Sequence, residues 1–362
     1  MRIMQLHMSF GNTFTPQYKT AKKGDRNTIM RLNPPFHKAF AVYNRMEKPV
    51  FYSPSHYLIT MILLTLTLTP LYVMGVSYWG WKLMYLLGFS VVTGFVLELS
   101  SFHITKRYTG YMGYATWLIF PLLTTPGMNI LFSIICLLAA IVVAQVFFGG
   151  FGRQLFHPVV VAQVFVMNNF IPMFANSQLR PFAEQGFGFY MYTSHAPTDA
   201  TLMNMIKAGK EFGLEHLLRG PHVGFFSDAF PFVLIICGII FLFIGGVNKK
   251  TPFVFLISLS ITAGVLHRLA PDKIMPLEYH LCAGSSLFYA FFIFSDRWTS
   301  ARSSGGRIIA GISAGILTVL IRSFSTNSGA VMYGALFTSA FIPLYDELGF
   351  YLKRKFTPGV KS

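Results

Sequence analysis

The chain has 362 residues, of which 53% are hydrophobic and 12% charged, against about 25% charged in an ordinary soluble domain. Aromatic residues make up 16%, and the formal net charge is +16. These values exclude a disordered chain, a fibrous repeat and a typical soluble enzyme, and indicate an all-α polytopic membrane protein with interfacial aromatic belts.

Residues 1–55 read as a cytoplasmic N-terminal segment. They hold nine Lys and Arg and lack the short apolar core and small-residue cleavage site of a signal peptide. Ten apolar segments come next, bounded by polar or Gly/Pro clusters: about 56–76, 81–99, 114–126, 128–148, 158–175, 230–247, 252–270, 281–295, 307–322 and 329–349. The third contains Pro121 and Pro126, and the fifth contains Pro158 and Pro172. Residues 350–362 are expected to form a cytoplasmic tail.

The charges agree with ten crossings. Both termini then share a side, and that side holds 21 of the 29 Lys and Arg. The positive-inside rule makes it the cytoplasmic side. The basic excess is therefore a sidedness signal rather than a nucleic-acid surface. Residues 56–175 and 230–349 each contain five crossings. An odd number means that a duplicated half inserts upside down, as in inverted-repeat architectures with broken helices. The broken helices are expected at 114–126 and 281–295. Between the halves lies one long polar stretch, 176–229, expected outside, with a helix over 201–218 (TLMNMIKAGKEFGLEHLL).

Several features are weighed for chemistry. Cys136, Cys237 and Cys282 lie inside apolar runs without a CxxC pair, which makes them packing thiols. The ten His show no metal-ligand spacing. Glu98, in FVLELSS near the end of the second crossing, is an ion-path candidate because a carboxylate in hydrocarbon is costly. Its other reading is an interfacial acid beside Lys106 or Arg107. The turn GGFGRQLFHP, 149–158, is Gly-rich but lacks the Lys-Ser/Thr of a phosphate-binding loop.

That turn and the segment after it resemble a known family. GRQLFHPVVVAQVF resembles the G-R-N-P-F-N-P-A-M pattern of the NqrB/RnfD family. HLCAGSSLFYAFFIFSDRWTSA, 280–301, is similar to that family's H-L-L-x-G…T-D-P-V-S-A stretch. GISAGILTVLIR, 311–322, and ALFTSAFIPLYD, 335–346, look like the segments after it. The resemblance covers about 50–349 in consistent order. The family comprises membrane subunits of the sodium-pumping NADH:quinone oxidoreductase and of the Rnf ferredoxin:NAD oxidoreductase.

The resemblance implies a covalent FMN on a threonine of the pattern D-x-x-S/T-G-A-T. Here the outer stretch reads HAPTDAT, 195–201, so Thr198, Ala200 and the acceptor Thr201 match. His195 stands where the pattern has Asp, and Asp199 where it has Gly. Without the family, Thr201 reads as a helix cap. The family's G-E-T/V-S stretch stands here as GFFSDA, 224–229, which lacks the Glu, with Asp228 as a partial substitute. The resemblance also implies a non-covalent riboflavin within the membrane part, and Arg153 and His157, in the matching turn, are candidate cofactor-binding residues. It further implies ion transport coupled to electron flow, flavoprotein and iron–sulfur partner subunits, and quinone as the acceptor in the Nqr type. The other reading from the residues is an inverted-repeat channel or secondary transporter without flavin.

Overall fold

The computed structural model describes residues 54–105, 110–147, 154–169, 177–181, 192, 201–271, 274–325 and 329–356. The described residues between 54 and 356 belong to one compact unit. Its helices are α1 (Pro54–Trp79), α2 (Lys82–Thr105), α3 (Gly110–Ile119), α4 (Ile130–Ile141) and α5 (Pro158–Asn169). After the polar connection come α6 (Leu202–Lys207), α7 (Leu214–Arg219), α8 (Pro231–Ile244), α9 (Lys250–Leu269), α10 (Leu277–Cys282) and α11 (Ser286–Phe288). The chain ends with α12 (Ser304–Phe324), α13 (Ala330–Ala340) and α14 (Ile342–Phe356).

The protein is an all-α polytopic membrane protein. Among the described residues three helices are long and apolar enough to span a bilayer, within α1, α9 and α12, and six shorter apolar helices accompany them. Apolar side chains face outward in stripes three and four residues apart, such as Phe253, Ile257, Ile261 and Val265 on α9. In a bilayer these stripes meet lipid, so the hydrophobic effect does not hold one helix against another. Close packing of small residues does. Helices α9 and α12 cross at Gly311 and Gly315, where a Cβ on Gly315 would stand 1.8 Å from Ser258 Oγ and 2.7 Å from the Leu259 nitrogen.

Two interruptions shape the bundle. In the first, α3 passes into a 3₁₀ turn, Phe120–Leu123, and then into an irregular stretch up to Asn129. Pro121 has no N–H for the Trp117 carbonyl. That carbonyl accepts from Ser90 Oγ at 3.0 Å, and the Leu118 carbonyl accepts from Tyr72 Oη at 2.6 Å. In hydrocarbon such orphaned carbonyls need protein partners. The predicted crossing 114–126 is thus a helix ending at 119 and a buried turn.

The second interruption splits the predicted crossing 281–295. Helix α10 stops at Cys282, and Gly284 and Ser285 take left-handed conformations with φ of 70° and 60°. Helix α11 then continues as a π turn, Tyr289–Ile293. The predicted 201–218 helix is corrected as well. It is two six-residue helices, because Gly209 adopts φ 84° and ends α6, and the chain restarts at α7 after Gly213.

Candidate functional site

The polar connection, both helix interruptions and the end of α12 gather at one end of the bundle. Phe226 N donates to the Thr124 carbonyl at 3.3 Å, and Ser227 Oγ lies 2.9 Å from Ser285 Oγ. Trp79 packs edge-on against Phe226 with ring centroids 5.5 Å apart. The 3₁₀ turn Phe226–Asp228 therefore touches the first interruption on one side and the second on the other.

Thr201 is at this end. It is the N-cap of α6, buried, and its Oγ1 accepts from Asn204 N at 3.2 Å. Leu202, Met203 and Ile206 of α6 cluster with Tyr279 and Cys282 of α10 and with Ala283. The segment beside α6 is held by Leu202 N donating to the Val223 carbonyl at 3.0 Å. One residue on, a Cβ added at Gly224 would stand 3.4 Å from Oδ1 of Asp228. The Asp228 turn is thus tied to the start of α6 through Val223, although 27 positions separate Thr201 from Asp228 in the sequence.

Asp228 faces the second interruption. Its Oδ2 accepts from Gly284 N at 3.1 Å, while Oδ1 is buried without a hydrogen-bond partner among the described residues. Burial raises its pKa to about 7, opposed by backbone hydrogen bonds, among them those from Gly284 and Ser285, and by the charge of Arg322. Arg322, on α12, is fully buried. Its Nη1 donates to the His280 carbonyl at 2.8 Å, and its Nη2 donates to the Gly284 carbonyl at 3.2 Å and to Ser286 Oγ at 2.9 Å. These are carbonyls that the break in α10 leaves without helical partners. Arg322 Nε and both ring nitrogens of His280 have no partner among the described residues. Lys207, the last residue of α6, reaches the Ser325 carbonyl at 2.5 Å. Its pKa is lowered by burial and by Arg322.

The opposite end carries His157. Its Nδ1 accepts from Val159 N at 3.3 Å, and burial lowers its pKa to about 3, so the ring is neutral. It lines a cavity of about 20 Å³ with Thr251, Thr299, Ser300, Thr338 and Ser339 among the other walls. Gln154, three residues earlier, is buried with both amide atoms unpaired among the described residues. Asp296 accepts from Thr299 N and Oγ1 at 2.9 and 2.7 Å. Asp346 accepts from Arg302 N and Ser303 N at 2.9 and 2.7 Å and so fixes the entry to α12.

Of the residues expected from sequence, Thr201 and His157 sit at opposite ends. Thr198, Ala200 and Arg153 lie outside the described residues. Position 98 is on α2, and the Glu98 side chain lies outside the described set. Sequence reasoning missed Arg322 and His280 as partners. A basic residue inside an apolar run was the signal that could have singled out Arg322. Among the described residues no group of His, Cys, Asp and Glu could hold a metal ion.

A family model for the NQR2, RnfD, RnfE family matches residues 46–353. The chain belongs to that family. It is 27% identical to the D subunit of the ion-translocating oxidoreductase complex of Rhodobacter capsulatus, over 86% of this chain and 93% of that protein. It is 24% identical to the protein of the same name from Tolumonas auensis, over 79% and 92%. With that of Buchnera aphidicola the identity is 25%, over 71% and 84%. Membership of the NQR2, RnfD, RnfE family agrees with the ordered motifs at 149–158, 280–301, 311–322 and 335–346.

Proposed function

We propose that this chain is the D-type membrane subunit of an ion-translocating oxidoreductase complex, that it carries FMN on Thr201, and that it passes electrons between partner subunits while Na⁺ or H⁺ crosses the membrane. The family match and the names of its relatives support the subunit assignment. They favour the Rnf-like type over the quinone-reducing type.

The observation that carries the flavin reading is the geometry of Thr201. Its Oγ1 acts as an acceptor in the cap, so the hydroxyl proton is not used there. A phosphoester replaces that proton and leaves the oxygen able to accept the same bond. The residue is 7% exposed, so the phosphate displaces part of the cap's surroundings. The bound flavin would supply the redox chemistry, and the chain supplies its placement and electrostatics.

Riboflavin belongs, in this reading, at the opposite end near Gln154 and His157. The unpaired Gln154 amide offers one donor side and one acceptor side, which suits an imide edge. The cavity beside His157 takes about one water-sized guest, so a tricyclic ring requires it to widen. Glu98 remains the ion-path candidate. Glu98→Gln is expected to lower ion transport while leaving assembly intact, and equal transport in the variant would retire that role.

A second reading, a channel or transporter without flavin, draws on Thr201 as a plain cap and on the His195 and Asp199 departures. The deciding experiment is a denaturing gel of the complex, made in a host with a flavin transferase and viewed for flavin fluorescence. The band of this chain should fluoresce. A dark band, with a partner flavoprotein fluorescent on the same gel, would select the second reading.

A further inference from the structure

Lys249 and Lys250, both exposed, stand where α9 begins. Lys249 Nζ lies over the Phe243 ring of α8, 5.0 Å from its centroid, and the Phe243 and Phe253 ring centroids are 6.3 Å apart. Three and then four residues at a time after Lys250 come Phe253, Ile257 and Ile261, all exposed. Lys250 Nζ also donates to Ser304 Oγ at the start of α12. At steps of four from Ser304 come Ile308, Ile312 and Ile316, again exposed. Both stripes begin at that hydrogen bond, and Ser258 Oγ ties the helices again further on through the Ile312 carbonyl at 3.2 Å. The stripes therefore flank one outward side of the α9–α12 crossing. Lys353 of α14 is exposed as well and lies one turn past Gly349, which packs on Gly305. Among the described residues none of these three lysines pairs with a carboxylate; Lys249 and Lys250 bond to the Phe243 carbonyl and to Ser304. Asp346 spends both oxygens on Arg302 N and Ser303 N. The exposed Glu347, two residues before Gly349, lies round the other side of α14.

We propose that Lys249, Lys250 and Lys353 form the headgroup seat of an anionic phospholipid whose acyl chains lie along the outward stripes of α9 and α12. The proposal is independent of the flavin reading. The match is one of shape and charge together. A lysine stem can lie along apolar surface while its ammonium reaches the level of the phosphates, and Lys249 over Phe243 has that posture. Anionic headgroups attract basic residues held at the bilayer surface, and Ser304 Oγ adds a hydroxyl beside Lys250. The stripes below supply the surface that two acyl chains need. A free anion has no use for those stripes. An apolar helix of another subunit would cover the stripes and leave three ammonium groups without a counter-charge. An anionic lipid satisfies both.

The test uses the purified complex in a neutral detergent. Titration with dioleoyl phosphatidylglycerol should raise the thermal midpoint more than titration with dioleoyl phosphatidylcholine, and inorganic phosphate should not reproduce the gain. In Lys249→Gln/Lys250→Gln the apparent affinity for phosphatidylglycerol should fall about 25-fold, from roughly fivefold for each lysine removed. Lys250→Arg should keep it. Lys210→Gln, which changes an exposed lysine between α6 and α7, should leave it unchanged. A photoreactive residue in place of Ile257 should link to phospholipid. Equal affinity in the wild type and the double variant would overturn the seat, as would an equal response to phosphatidylcholine or an equal loss in Lys210→Gln. A full gain from inorganic phosphate would reduce it to a plain anion site, and a link from position 257 to another subunit would give the face to a protein partner; either result overturns the proposal.

Discussion

Arg322 and His280 meet through a 2.8 Å hydrogen bond from the guanidinium to a main-chain carbonyl, across 42 residues of sequence. The contact closes the gap that the break in α10 opens. The first interruption uses neutral donors, Ser90 and Tyr72, for the same purpose. The second uses a charge. A buried guanidinium is costly unless its donors are satisfied, and here three of its bonds go to the break itself.

Removing Arg322 should therefore be costly. Arg322→Leu leaves the His280 and Gly284 carbonyls unpaired in the interior, at about 1–3 kcal/mol for each buried polar group left alone. Arg322→Lys keeps the charge and one donor direction and should lose less. Thermal unfolding in detergent should rank wild type above Lys and Lys above Leu. Equal midpoints for all three would show that the break stands without this brace.

The α9–α12 crossing gives a matched pair of substitutions. A Cβ at Gly315 meets Ser258 Oγ at 1.8 Å and the Leu259 backbone nitrogen at 2.7 Å, whereas one at Gly264 meets nothing within 4 Å. Ser258 can rotate, but the backbone cannot. Gly315→Ala should destabilise by about 1–3 kcal/mol through overpacking. Gly264→Ala should be neutral or stabilising by up to about 1 kcal/mol, because alanine is the better helix former. Comparable melting points would mean that the helices separate easily at this crossing.

Thr201 should show two separable roles. Thr201→Ser keeps a hydroxyl and should preserve both the cap and the fluorescent band. Thr201→Val should abolish fluorescence and cost about 1 kcal/mol from the lost cap. Thr198→Val should leave the band bright. Loss of fluorescence in Thr198→Val with retention in Thr201→Val would move the attachment point.

Asp228 makes a pH prediction. Its folded pKa, raised by burial to about 7, exceeds the ordinary carboxylate value of 3.8. Below pH 4 the acid is protonated in both states and contributes no difference. Between pH 4 and 7 the unfolded chain releases the proton while the folded chain holds it, so stability falls as pH rises. Above 7 the contribution is flat. Asp228→Asn should remove that slope from a plot of melting point against pH. An unchanged slope in the variant would assign the dependence to other groups.

Orientation can be checked on exposed positions. With Cys136, Cys237 and Cys282 replaced, a single cysteine at Glu211 should react with an impermeant reagent on intact cells. A cysteine at Lys249 should react only after lysis. The reverse pattern would invert the topology drawn from the 21-to-8 division of basic residues.

The amino-acid sequence determined the all-α membrane class, the positions of the apolar segments and the family. Each of these is written in local composition or in motifs of consecutive residues. Pro121 also announced where a helix breaks, since a missing N–H is a property of a single residue. Only the tertiary structure decided what lies against those breaks. In helices apolar on nearly every face, periodicity does not separate the packed side from the lipid side. The choice of Ser90, Tyr72 and Arg322 as partners for orphaned carbonyls depends on which helix passes nearby. The division of 201–218 into two helices followed from Gly209 and from packing on α10, where six residues suffice to place Leu202, Met203 and Ile206. The Asp228 turn and the start of α6 came together for the same reason. Their proximity comes from a backbone bond between Leu202 and Val223, and no spacing rule along the chain encodes such a bond.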